Sequence, residues 1–203
     1  VLILGDQLDA ESAALADLDP VSDVVCMFEV PYESTRTWSH VARTAVFLSA
    51  MRHFAAALTE RGIRCDYAQL GRHTHPTLDL ALTDAVRRHR PHRVVMVEAG
   101  EWQIAQNLAS TCAELGVPLD TRVDTHFLVS RDAFAQWAGN YRQLRMEHFY
   151  RKVRKDTGVL MNVNGEPEQG RWNFDAENRG SFGSRGPGMV PTPPHFAPRE
   201  TTQ

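Results

Sequence analysis

Val1-Leu2-Ile3-Leu4-Gly5-Asp6-Gln7-Leu8 opens the chain with an unbroken apolar run closed by a glycine–aspartate pair. A strand with one wet face alternates apolar and polar residues. A run with no polar position instead predicts a strand buried on both faces that ends in a tight turn. Working outward, Val24–Val30, Arg64–Leu70, Arg93–Val97 and Leu119–Val123 read as further strands, mostly continuous apolar runs. Between them lie helical patterns. Ser39 to Arg61 places Val41, Ala45, Leu48, Met51, Phe54 and Leu58 at spacings of three and four, and Gly62 supplies its stop. Leu78–Arg90 ends before Pro91, and Glu101–Leu115 ends at Gly116. A short helix is expected over Ala10–Leu18. Ser130 suits the N-cap of a helix over Asp132–Ala138, and a last helix is expected from Tyr141 to Thr157, closed by Gly158. Strands alternating with helices predict an α/β domain: a five-stranded parallel sheet of Rossmann-like type with helices on both faces.

The chain has 203 residues, 42% apolar and 23% charged, which suits a globular domain with a sizeable core. A formal charge of −3 gives no general attraction to nucleic acid or to an anionic membrane. No apolar run reaches the ~18 residues that a bilayer requires, so no membrane partner is expected. Cys26, Cys65 and Cys112 are odd in number, far apart and set in apolar surroundings. They read as buried reduced thiols of a cytoplasmic protein, not as a disulfide framework or a zinc site. His73, His75, His89 and His92 fall in and around a surface loop and a helix end, and no metal site is expected there.

In open parallel sheets, ligands bind outside the carboxyl ends of the strands. The loops at such ends carry Gly5, Asp6 and Gln7, then Glu29 to Glu33, then Glu98, Glu101 and Trp102. Carboxylates, an amide and an indole ring suit a flat heteroaromatic with hydrogen-bonding edges. Each loop also has a plainer reading, as a turn with a helix cap, as solvated acids, or as a core tryptophan. Neither GxGxxG nor GxxxxGK[ST] occurs, and the acid after Gly5 repels phosphate, so a nucleotide is a poor guest. No nucleophile–base arrangement stands out, and no catalytic residue is assigned. Arg142, Arg145, Arg151, Lys152, Arg154 and Lys155 crowd one helical segment. With Leu144, Phe149 and Val153 as its buried stripe, the basic side is left for DNA phosphates, or else is a solvated face or one that docks on another domain.

Gly170-Arg171-Trp172-Asn173-Phe174-Asp175-Ala176-Glu177-Asn178-Arg179 lies beyond the last helical pattern yet carries two aromatic residues, unlike an ordinary surface loop. Together with the opening segment, FEVPYES (28–34), AVFLSAMRHFA (45–55), VEAGEW (97–102) and QLRMEHFYRKVRKDTGVLM (143–161), it resembles the deoxyribodipyrimidine photolyase-related family. This is the bacterial, iron–sulfur-containing branch of the photolyases and cryptochromes.

The resemblance spans roughly residues 1 to 180. It implies an N-terminal α/β domain over 1–158 and an interdomain segment over 159–203 leading to a helical FAD domain outside this sequence. It also implies light-driven repair of a DNA lesion, or photoreception, by the parent flavoprotein, with DNA reached through that parent. FAD and a 4Fe-4S cluster would belong to the C-terminal domain. This domain would hold a 6,7-dimethyl-8-ribityllumazine antenna at Gly5, Asp6, Phe28, Glu29, Glu33 and the helix face around Phe47. Phe47 is bulkier than the aliphatic residue usual at its place, and either stacks on the chromophore or fills its space. Trp172, Asn173 and Phe174 are expected to close against the helical domain. The other reading keeps the fold and makes it a non-catalytic interaction module that docks a partner domain or subunit without a ligand.

Overall fold

Val25–Phe28 has no polar position, and in the computed structural model of the chain it forms β1, buried throughout. β2 (Cys65–Ala68) pairs with it in parallel register, Cys26 opposite Asp66 and Phe28 opposite Ala68. β3 (Val94–Val97) pairs in the same way with β4 (Leu119–Arg122). The structure describes residues 1–175 and 179–197. Ala176, Glu177 and Asn178 of the tryptophan-bearing stretch, and the end of the expected interdomain segment from Pro198, lie outside the described residues.

The sheet departs from expectation. Among the described residues there are two two-stranded parallel sheets, β1–β2 and β3–β4, and not one sheet of five strands. Val1–Leu4 runs between them as a linking segment. Leu2 N–H donates to Val95 O at 2.8 Å, Ile3 N–H donates to Cys26 O at 3.1 Å, and Leu2 makes a single parallel bridge with Cys26. The segment is too short to build a longer ladder, because Gln7 N–H turns back onto Leu4 O at 3.0 Å and closes the tight turn.

Apolar side chains leave these strands on both faces. Leu2, Leu4, Cys26, Phe28, Val94 and Met96 pack with Ala81, Leu82, Ala85 and Val86 of α3 (Leu78–His89) and with Leu108 and Cys112 of α4 (Trp102–Glu114). Ile3, Val25, Met27, Val95 and Val97 face the other way, toward Met51, Ala55 and Leu58 of α2 (Val41–Glu60) and Ala14. Neighbouring residues of one apolar run therefore serve two separate cores, which is why no polar position interrupts it.

Helix boundaries differ from the sequence reading in three places. Ala10–Leu18 contains only a 3-10 turn at Ala13–Leu15. Pro31–Thr35 forms a short helix, α1, starting on the proline, where a loop was expected. The last helix, α6, begins at Met146 and not at Tyr141; it ends at Thr157, where Gly158 takes a left-handed φ of 73°. Val1–His126 forms one compact unit, and Phe127–Ala197, with α5 (Arg131–Ala138) and α6, forms another. No helix among the described residues is long and apolar enough to cross a membrane.

Candidate functional site

A cleft of about 430 Å3 opens where the Val1–Leu4 segment and β1 end. Gly5 and Asp6 follow the first, Phe28 and Glu29 close the second, and α1 brings Glu33. The opposite wall is one face of α2, where Arg43, Thr44, Phe47, Leu48 and Met51 recur at helical spacing. This explains why the front half of α2 does not bury its expected stripe. Val41 and Ala45 of that stripe are exposed, and burial in the helix begins at Met51.

Gly5 is where a strand end, an aromatic ring and a thioether meet. A Cβ at this position would stand 2.5 Å from Phe47 Cε1 and 2.7 Å from Met51 Sδ, so no side chain fits without displacing them. The Phe47 ring packs down on the Gly5 backbone and stays 38% exposed as part of the cleft wall.

Glu29 is the most enclosed acid of the site. Arg52 Nε and Nη2 donate to Oε1 at 2.7 Å and Oε2 at 2.9 Å, Leu70 N–H donates to Oε2 at 2.8 Å, and Tyr67 Oη donates to Oε1. Burial works against the charge, but the Arg52, Tyr67 and Leu70 donors outweigh it and hold the carboxyl below its ordinary value. The same contacts raise the Tyr67 hydroxyl, chiefly through burial and then through its bond to Glu29. Glu29 thus ties the end of β1 to α2 and to the end of β2.

Glu33 sits in a different setting. Burial raises its pKa, the neighbouring Glu101 and Asp6 charges add to that, and Arg36 opposes it. Arg36 is paired with Glu101, Nη2 donating to Oε2 at 2.7 Å.

Of the ten residues expected at this site, seven line the cleft: Gly5, Asp6, Phe28, Glu29, Glu33, Phe47 and Glu101. Gln7, Glu98 and Trp102 are not among its lining residues. Gln7 Nε2 donates to Glu98 O at 2.6 Å, which joins the turn after Leu4 to the one after β3. Trp102 begins α4 and is 69% exposed. Sequence reasoning missed Arg36, Arg43 and the hydroxyls of Ser34, Thr37, Ser39 and Thr44, all of which border the cleft. The run Ser34-Thr35-Arg36-Thr37-Trp38-Ser39, dense in hydroxyls directly after an acidic strand end, was the available signal.

In the second unit, Phe149 of α6 packs on Phe134 and Trp137 of α5 at ring separations of 5.0 and 4.7 Å. The expected buried stripe of α6 needs correction at Leu144, which precedes the helix and is exposed. The basic side is also less free than expected. Arg154 is buried, and its guanidinium donates to the carbonyls of Val159 and Leu160. Arg151 pairs with Glu147 and Lys152 with Asp156. Arg151, Arg154 and Lys155 gather over the Trp172 ring at 5.6, 5.3 and 5.5 Å from its centroid. Arg142 and Arg145 are exposed.

The family model described as deoxyribodipyrimidine photo-lyase-related protein matches residues 1–203. The chain belongs to this family. A relative named as a (6-4) photolyase, from Agrobacterium fabrum (strain C58 / ATCC 33970), is 38% identical over 207 residues, covering all of this chain and 40% of the relative's length. This member of the family is therefore similar over its whole extent to a part of a longer photolyase.

Proposed function

We propose that this chain is the α/β portion of a light-driven DNA-repair flavoprotein and that its cleft holds a 6,7-dimethyl-8-ribityllumazine antenna. The observation that carries the reading is the cleft itself. It lies at the strand ends, is large enough for a small heteroaromatic, and is lined by acids, hydroxyls and two guanidinium groups around one aromatic wall. When bound, such a chromophore absorbs near-ultraviolet and blue light and passes the energy to a flavin. The chain's own residues supply binding and orientation.

The residues present fit that group. A pyrimidinedione edge offers an N–H flanked by carbonyls, which matches a carboxylate such as Glu33 or Asp6 beside a donor such as Arg36 or Ser34. The hydroxyls along the cleft suit a ribityl chain. Phe47 packs against Gly5, where a Cβ would meet its ring at 2.5 Å, and the ring also lines the cleft. Asp6, Glu33 and Glu101 make the floor acidic, which favours an uncharged ribityl compound over a phosphorylated nucleotide. In this reading FAD and a 4Fe-4S cluster belong to the rest of the parent polypeptide, and DNA contact is made through that parent, with the exposed Arg142 and Arg145 among the cations this chain can offer to phosphate. Four thiolates are needed for a 4Fe-4S cluster and this sequence has three cysteines, so the chain cannot supply that ligand set.

The purified chain, mixed with the lumazine, is expected to show a shifted visible band and quenched lumazine fluorescence. Both effects should be weakened at least tenfold in Glu33→Ala. An unshifted spectrum at saturating lumazine would refute the antenna reading.

A further inference from the structure

Cys26, Asp66 and His89 each present one ligating atom within 4.8 Å of the other two, on the side of β1 and β2 that α3 covers. They come from three elements. Cys26 lies in β1, Asp66 is its register partner in β2, and His89 is the last residue of α3. His89 Nε2 and Asp66 Oδ2 are already 2.6 Å apart. A void of about 30 Å3, lined by Cys26 and His89 among others, adjoins the group and has room for a single water. We propose that these three side chains form a binding site for a thiophilic divalent cation of the zinc class, separate from the cleft.

The chemistry is balanced. A thiolate, an imidazole and a carboxylate are the donor set that zinc takes, at about 2.3 Å from sulfur and about 2.0–2.2 Å from nitrogen or oxygen. Two donors on one ion stand roughly 3.3–3.8 Å apart, so an incoming ion takes the place of the proton between His89 Nε2 and Asp66 Oδ2 and parts these atoms from 2.6 Å, within the 4.8 Å that bounds the group. The fourth position falls to a water in the adjoining void. Thiolate and carboxylate together neutralise a divalent ion. Arg88, whose Nη1 is 2.5 Å from Asp66 Oδ2, keeps its second partner Asp84 and stays charge-balanced. Burial pushes the Cys26 thiol up to about 11, so the metal must displace its proton to solvent as the metal–sulfur bond forms. Soft sulfur together with imidazole selects against magnesium and calcium.

Co2+ added to the chain tests this. The expected result is one equivalent bound with a thiolate-to-cobalt charge-transfer band, displaced by Zn2+. The band should vanish in Cys26→Ser, affinity should fall at least tenfold in Asp66→Asn and His89→Gln, and Cys65→Ser should leave both unchanged. His89 is exposed, so His89→Gln keeps the core intact and carries the test even where Cys26→Ser does not fold. Absence of the band, a band that survives His89→Gln at full affinity, or one abolished equally by Cys65→Ser would overturn the proposal.

Discussion

Arg52 grips the Glu29 carboxylate with two parallel hydrogen bonds, Nε to Oε1 at 2.7 Å and Nη2 to Oε2 at 2.9 Å. The arginine keeps part of its side chain in water while the glutamate side chain is fully enclosed, so the partners are unequal. Removing the cation strands a buried anion. Removing the anion leaves a cation that can turn to solvent.

Arg52→Ala is therefore expected to destabilise the protein by about 3 kcal/mol, at the low end for a broken buried pair, and Glu29→Gln by less. Urea unfolding followed by far-ultraviolet circular dichroism measures both. A loss below about 1 kcal/mol in Arg52→Ala would mean that Tyr67 and Leu70 suffice to hold the charge.

The two glutamates of the site give opposite pH signatures. Glu29 is held below the ordinary value of 4.5, so its contribution is present above that value and is lost as pH falls through its folded-state value. Glu33 is raised, so its contribution is present below the ordinary value and is lost as pH climbs through its folded-state value. Glu29→Gln should flatten the acid limb of the stability curve, and Glu33→Gln should stabilise the protein at neutral pH. Thermal melts from pH 3 to 8 would show this, and identical limbs for both variants would contradict it.

Gly5→Ala is expected to cost about 1–3 kcal/mol by overpacking, because the new methyl meets the Phe47 ring and the Met51 sulfur. Pairing it with Phe47→Leu should recover part of the loss. A double-mutant cycle reads the coupling directly, and strict additivity would show that the ring moves aside without cost.

Trp172→Ala should loosen Phe127–Ala197 without touching the first unit, since Arg151, Arg154 and Lys155 lose their shared ring. At about 0.5–1 kcal/mol for each cation, the total approaches 2 kcal/mol. Hydrogen exchange should speed up for amides of α6 and stay unchanged for those of α3 and α4. Uniform acceleration would argue against it.

Part of the fold was legible because packing leaves a local trace. Val25–Phe28 and Val94–Val97 feed two cores at once, so every position is apolar, and α3 and α4 carry helical periodicity ending near Pro91 and Gly116. The extent of the sheet was not legible. Whether Val1–Leu4 forms a ladder or a single bridge depends on the turn at Gly5 and on partners about 25 and 95 residues away. The acids of the cleft could be read because they sit at strand ends. Arg36 and the flanking hydroxyls were passed over although the Ser34–Ser39 run carried a signal, since α1 was taken for loop and the turn that aims them was not foreseen. Arg154 looked like one more surface cation; only the fold of Gly158–Leu160 back onto it shows that it serves the backbone. Cys26, Asp66 and His89 lie up to 63 residues apart and share no spacing rule; they meet through strand register and the packing of α3 over the strands.

Leu2 and Ile3 join β1 and β3 through backbone bonds to Cys26 and Val95. During synthesis this hinge strand can close its first side early, yet its second side must stay open until the ribosome has made Val95. For that interval the apolar segment keeps one edge unpaired, so register in the middle of this domain is set by contacts distant in sequence and is completed late.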